Sequence, residues 1–408
     1  MRTYREVFSY PEFRVLFIVR CVTMGVVSLQ SLALASITYA ATASPLLTAL
    51  VLFGGPLITM LGSATVLGAS DSLGVRRASL VMPAAYGVAC LLQAIPHLPW
   101  WSRLVILALP YLAGSATSGS TMRLMHQILP DDGFVLGRAT LNLAVGVMQV
   151  VGYAAGGVLI AHLPVSAVFL LAAGGALAVV LLLRFGISER PGTQPSGRLV
   201  QRTRAVNRHL LGSPVTRPVY LALWIPNGLI VGCEALFLPF STESGVDAAG
   251  LLFAVTAAGM LTGDVVMGRL VPPTHRDRVV TPLRLLLALP YLGFALDPGL
   301  PVALVLGFVA SVGYCASLPL QERLVHTTDP ANRGQVFGLA GSGLMIGQAT
   351  GAALGGAIAE VLDAHLTMAL LAAASLFVSA LLTPALRRSA PASARHNDEQ
   401  RARGSMHA

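Results

Sequence analysis

The sequence predicts an all-α integral membrane protein, with twelve transmembrane helices in two pseudo-symmetric six-helix bundles. Composition, the placement of arginine and a repeat at half the chain length predict it. Of the 408 residues, 55% are hydrophobic and only 11% charged, and the mean hydropathy is +0.72. A soluble domain carries roughly 25% charged residues, so most of this surface faces something other than water. The apolar runs reach about 20 residues, enough to span a bilayer, whereas a buried helix of a soluble protein stops at about 10–14. Alternation at period two is absent, which excludes a β-barrel.

In chain order the apolar runs fall near 13–39, 45–69, 78–96, 102–125, 138–162 and 165–187. They resume near 215–240, 248–270, 281–298, 301–322, 335–361 and 364–386. Short polar gaps separate them, except after the sixth, where a long polar stretch begins "SERPGTQPSG". Its Pro/Gly opening reads as a linker. Residues 198–211 then place Leu199, Val206 and Leu210 on one side and arginines on the others. Such an amphipathic helix suits an anionic leaflet, at about 1 kcal/mol per arginine near the surface; recognition of a partner protein is the alternative. The division expected is an N-terminal bundle 1–187, a linker 188–214, a C-terminal bundle 215–386 and a disordered tail 387–408.

All 27 basic residues are arginine. Without lysine there is no Walker A loop and no retinal Schiff base, so uphill transport would draw on a gradient. The net charge of +9 raises nucleic acid as a partner, but its placement argues otherwise. With the N-terminus inside, every arginine except Arg20 and Arg103 falls in an inner loop, tail or span end. The opposite loops hold Glu243, Asp247, Asp297, Glu360 and Asp363. This is the positive-inside pattern of a multi-pass cell-membrane (inner or plasma membrane) protein with both termini cytoplasmic. Cys21, Cys90, Cys233 and Cys315 lie inside apolar runs and read as small hydrophobes. The opening "MRTYREVFSYPEFR" has no apolar core before a small-residue cleavage site, so no removed signal peptide is expected.

The fourth span ends on "RLMH", 123–126, and the tenth on "RLVH", 323–326, 200 residues later. Gly68 and Arg76 are echoed at the same offset by Gly268 and Arg276. "GYAAGG" at 152–157, preceded by Gln149, is echoed 199 residues on by "GAALGG" at 351–356, preceded by Gln348. "PEFR" at 11–14 returns as "PVTR" at 214–217, 203 residues on. Together these matches indicate a duplicated six-span unit.

With six spans plus six, a basic central linker and "SDSLGVRR" at 70–77, the chain resembles the major facilitator superfamily over essentially its whole length. Asp71, Gly74 and Arg76 fall in place in that family's loop 2–3 signature, with Arg77 beside them; the signature's first glycine is displaced to Gly68, and Ser72 replaces a basic residue. The resemblance implies that Asp71 faces the N-terminus of span 11 near residues 334–336. Free amides and the helix dipole favour an anion there, in a cytoplasmic gate; a solvated turn acid is the plainer reading. Drug–proton antiporters of the superfamily carry Gly-Pro-x-x-Gly-Gly in span 5, where this chain has Tyr153 for the proline. Gly152, Gly156 and Gly157 still make a small face for close helix contact.

Ionisable residues within a span cost roughly 2.5–3.5 kcal/mol at its centre. Three stand out: Arg20, Glu234 and Asp264. Glu234 follows Asn227 by seven residues in "WIPNGLIVGCEALF", in a span that the resemblance places on the cavity, and is the proton-coupling candidate; a hydrogen-bonded glutamate near the outer mouth is the alternative. Pro226-Asn227-Gly228 interrupts the same helix, which makes Trp224 and Asn227 cavity candidates unless the break is a packing kink. Arg20 either snorkels inward or faces the cavity. Gln30 and Tyr314 are further cavity candidates, and Asp264, near Arg269, is read as a gate acid. Arg123 and Arg323 are read as anchors of helix ends, with gating beside Glu322 as the other option.

The expected function is alternating access by a secondary transporter, exporting a small, partly apolar molecule against protons. Import or uniport of a polar metabolite and a non-transporting membrane sensor are the rivals. Its partners are the substrate, the proton and membrane lipid, with no nucleic acid; a monomer is expected. Scattered histidines, with no metal spacing and no nucleophile–base pair, point to no enzyme, no cofactor and no metal.

Overall fold

The computed structural model describes residues 4–65, 74–116, 120–189, 197–245, 248–328 and 333–388; every regular element among them is helical. Nine of these helices are long and apolar enough to cross a membrane, or ten if the pair Pro45–Phe53 and Gly55–Gly62, bent by 61°, is one span. Pro56 follows the bend directly and supplies no backbone N–H to carry the helix through it. The other two expected spans fall on Trp100–Ala116 with Ser120–Ile128, and on Arg333–Ala359. The first piece has only 17 residues. The second carries eight glycines, which dilute its hydropathy.

Proline sets several of the remaining interruptions. Span 7 is helical from Arg217 to Glu234 and again over Phe237–Glu243. Pro226 lies inside the first helix without ending it, and its carbonyl accepts the Ser375 hydroxyl at 3.2 Å. The break falls later, at residues 235–236, where Pro239 cannot bond back to position 235. Span 9 runs as an α-helix over Pro273–Ala288 and tightens to a 3-10 helix over Leu289–Leu296, with Pro290 at the change. Span 10 is Leu300–Val312, a 3-10 turn Gly313–Ala316, then Ser317–His326 with Pro319 in its first turn.

Two compact units form: Met1–Pro195 with Ala235–Ala258, and Ser196–Glu234 with Gly259–Ala408. They are not cut where the sequence division falls, because residues 235–258 join the first unit. Phe253 is the reason. Its ring stacks on Tyr153 at 5.0 Å, meets Phe237 edge-on at 5.2 Å and lies 6.4 Å from Phe53. Beside it, a Cβ on Gly250 would stand 2.7 Å from the Cα of Gly157, so only glycine allows these backbones to meet.

In the first unit, Phe13, Leu16, Leu124, Met125, Val179 and Leu183 form one core cluster. Span 3 begins at Gly74, the residue before Val75–Gln93. Arg76 there donates to Glu189 at 2.9 Å and to the carbonyls of Arg184 and Ile187, closing the end of span 6. Arg77 lies 3.8 Å from the same glutamate and is largely exposed. At the opposite end, the buried Arg103 donates to the Gln93 carbonyl at 2.9 Å, and the Gln93 amide returns a bond to the Arg103 carbonyl at 2.8 Å.

In the second unit the linker helix Gly197–Gly212 sets Val206 and Leu210 against Tyr220, Leu223, Leu324 and Val336. Those two side chains therefore pack on protein; the side chain of Leu199 lies outside the described residues. Spans 7 and 11 touch through glycine: a Cβ on Gly351 would strike the Gly228 carbonyl, and one on Gly355 would reach that of Gly232 at 2.8 Å. In the first unit a Cβ on Gly152 would meet the Ser28 side chain at 2.9 Å and the Gly25 Cα at 3.5 Å. Gly25 and Gly228 are 203 apart, and Gly152 and Gly351 are 199 apart, so the two contacts fall in register with the repeat.

Candidate functional site

Two departures from α-helix in the second unit meet at one carboxyl group, and a third lies within electrostatic range of it. Glu234 is the last residue of its helix, 7% exposed, and its Oε1 accepts the Tyr314 hydroxyl at 3.0 Å. Tyr314 sits in the 3-10 turn of span 10 and is also buried. Tyr291, in the 3-10 segment of span 9, is fully buried within electrostatic range of Glu234. Cys233 closes the floor, its thiol donating to the Met368 carbonyl at 3.3 Å. Non-helical backbone at membrane depth survives only where protein or a cavity receives its polar groups. A carboxyl held against a phenol there can take up a proton and hand it on, since its protonated form donates where its ionised form accepts.

The other expected residues are dispersed. The Trp224 indole donates to the Ala340 carbonyl at 3.1 Å, and Asn227 Oδ1 accepts the Gln348 amide at 2.9 Å; both bind span 7 to span 11. Gln30 is 1% exposed, and neither end of its amide has a partner among the described residues; the same holds for the Ser28 hydroxyl. Arg20 and Asp264 are exposed side chains and form no ion pair among the described residues. Asp71 lies outside the described residues, as does the side chain of Arg123. Arg323 is buried, bonded to Asp277 and to the Leu386 carbonyl at the end of span 12.

Sequence reasoning missed Tyr291, Gln348 and the burial of Arg284. Pro290, Gly313 and Pro319 carry the signal for the first, since they mark departures from α-helix in spans 9 and 10. The arginine placement puts Arg284 at an inner span end, yet it is the largest fully buried side chain among the described residues. Its repeat position, 200 residues earlier, holds Ala84, so the duplication alone gives no reason for an arginine.

The sequence matches the family model of the Major Facilitator Superfamily over residues 16–321 and again over 242–407. The chain belongs to this superfamily. Its fold is similar to that of a POT family transporter solved with a thioalcohol-conjugated peptide (TM-score 0.70, 15% identity, covering 93% of this chain and 96% of that one). A POT family transporter bound to 5-aminolevulinic acid gives a TM-score of 0.68 at 14% identity, with the same coverage. A bacterial homologue of the human lysosomal transporter Spinster, inward-facing and occupied, gives 0.63 at 15% identity, covering 97% of this chain and 94% of that one. At these identities the likeness is one of fold. Comparison with curated proteins gave no match. The superfamily fold, with the helices described, makes this a multi-pass, all-α membrane transporter.

Proposed function

We propose that this chain is a proton-coupled secondary transporter of the cell membrane, both termini cytoplasmic, exporting a small, partly apolar molecule by alternating access. The observation that carries it is the Glu234–Tyr314 pair where the breaks of spans 7 and 10 meet. The partly apolar substrate is supported by the scarcity of charged residues within the spans. Asp71, Gly74, Arg76, Arg77 and Asp264 are read as the cytoplasmic gate; the clasp of Arg76 on Glu189 supports a role at that end. A second reading, uptake of a polar substrate, draws on the fold likeness to transporters solved with a peptide conjugate and with 5-aminolevulinic acid.

Glu234→Gln tests the coupling. A proton crossing the membrane gains about 2.3 kcal/mol per 100 mV, but only where a group binds it on the way. The substrate is first found by comparing small molecules retained and released with and without the gene. In sealed vesicles the variant is then expected to lose pH-driven accumulation and keep exchange at equal concentrations. Failure of exchange as well would make Glu234 a substrate ligand; full retention of both would leave it structural. The vesicle orientation that accumulates substrate separates export from uptake.

A further inference from the structure

Arg284, in the helix Pro273–Ala288 of span 9, is 2% exposed, and none of its three guanidinium nitrogens has a hydrogen-bond partner among the described residues. A guanidinium does not shed its proton in a protein, and an unpaired ion away from water is strongly disfavoured. The acids on the elements packed against this helix are all engaged. Glu234 of span 7 binds Tyr314. Glu322 of span 10 holds Arg276 at 3.3 Å. Asp277, on span 9 itself, takes two bonds from Arg323, at 2.7 and 3.2 Å, both on Oδ1. Span 12 carries no acid between Ala364 and Arg388. Arg276 and Arg323 thus take Glu322 and Asp277, one each, and Arg284 is left without a partner among the described residues.

Asp277 precedes Arg284 by seven residues, two turns or about 10.5 Å along the axis, on nearly the same face. An arginine on a helix leans toward the N-terminus, the direction in which Asp277 lies. The second carboxylate oxygen of Asp277 accepts nothing among the described residues. We propose that Asp277 is shared: it holds Arg323 in the present structure and passes to Arg284 in the opposite state of the cycle, making Arg284 a positioning residue for transport. This rests on the transporter reading above. In the present pairing Asp277 ties span 9 to span 10, while Arg323 ties span 10 to the end of span 12. With Arg284 as partner the pair lies within span 9 and the hold of Asp277 on span 10 is released, leaving Arg276–Glu322 as the ion pair between the two spans among the described residues. The count of ion pairs is unchanged, which keeps both states accessible, as a two-state element requires.

The test measures thermal unfolding of the purified full chain carrying Arg284→Leu or Arg284→Gln, each alone and together with Arg323→Gln; the glutamine variant serves if leucine prevents folding. Alone, the Arg284 change is expected to raise the midpoint, because it removes an unpaired cation. In the Arg323→Gln background it is expected to lower the midpoint by about 2 °C or more, because Asp277 then loses its remaining partner. A shift of the same sign in both backgrounds overturns the proposal. So does a wild-type midpoint that rises with chloride or phosphate while that of Arg284→Leu does not, which would make Arg284 the holder of a bound anion. Deuterium uptake over residues 317–326 reports the cycle: Arg284→Leu is expected to slow it several-fold, and unchanged uptake overturns the release of span 10 from Asp277. If the sign reversal holds while no transport is found in vesicles, the shared carboxylate stands and the transporter reading alone falls.

Discussion

Arg103 is one of two arginines that the charge asymmetry leaves unexplained, and its contacts supply the reason. It is 8% exposed and exchanges bonds with Gln93 across the turn between spans 3 and 4, donating to both the backbone and side-chain oxygens of that residue. The arginine therefore satisfies the carbonyl end of span 3. Hydrogen bonds from a charged donor are worth about 1.5–3 kcal/mol each, so Arg103→Met is expected to cost about 2–3 kcal/mol in thermal unfolding. Adding Gln93→Leu should recover part of that loss, since removing both partners leaves less unsatisfied polarity than removing one. A double variant worse than Arg103→Met would show that the pair does not act as a unit. Glu234 was legible at this scale because a lone acid in an apolar run is conspicuous. Its partner Tyr314 was named only as a cavity residue, because nothing in a linear sequence joins residues 80 positions apart.

Glycine spacing decides how the helices pair. In Arg333–Ala359 the glycines at 343, 347, 351 and 355 recur every four residues and form one face. That face receives Trp224, Gly228 and Gly232 of span 7. The glycines let the backbones of the two helices approach closely. Gly228→Leu would drive a side chain into the Gly347 carbonyl; overpacking of this kind costs about 1–3 kcal/mol. A Cβ on Gly174, by contrast, meets nothing within 4 Å, and Gly174→Ala is expected to gain about 0.5–1 kcal/mol from helix propensity. Unfolding midpoints of the two variants should move in opposite directions, and equal shifts would deny the close approach its role. The interruption of span 7 was legible only in part. The sequence drew attention to Pro226, but that proline is accommodated inside the helix, and the break falls near Pro239.

At the scale of the whole molecule, residues 235–258 pack with the first unit although the repeat assigns them to the second half. The Tyr153–Phe253 stack and the Gly157–Gly250 approach hold them there. Gly250→Leu is expected to displace this segment. A cysteine at position 153, in a background lacking the native cysteines, should then react at least several-fold faster with a membrane-impermeant maleimide added opposite the arginine-rich ends. Unchanged labelling would mean that the glycine contact does not hold the segment.

Run length, arginine placement and the repeat are properties of the chain in one dimension, and they carried the division into spans; the six-plus-six pattern, the basic linker and the motif at 70–77 carried the superfamily. Bilayer thickness and the asymmetric cost of positive charge act on each segment separately, so no contact need be known to read them. Pairing is different in kind. The partners of Glu234 and Asp277, the burial of Arg284 and the side taken by residues 235–258 depend on which helix faces lie against each other. Packing between distant segments sets those faces, and only the tertiary structure decided them.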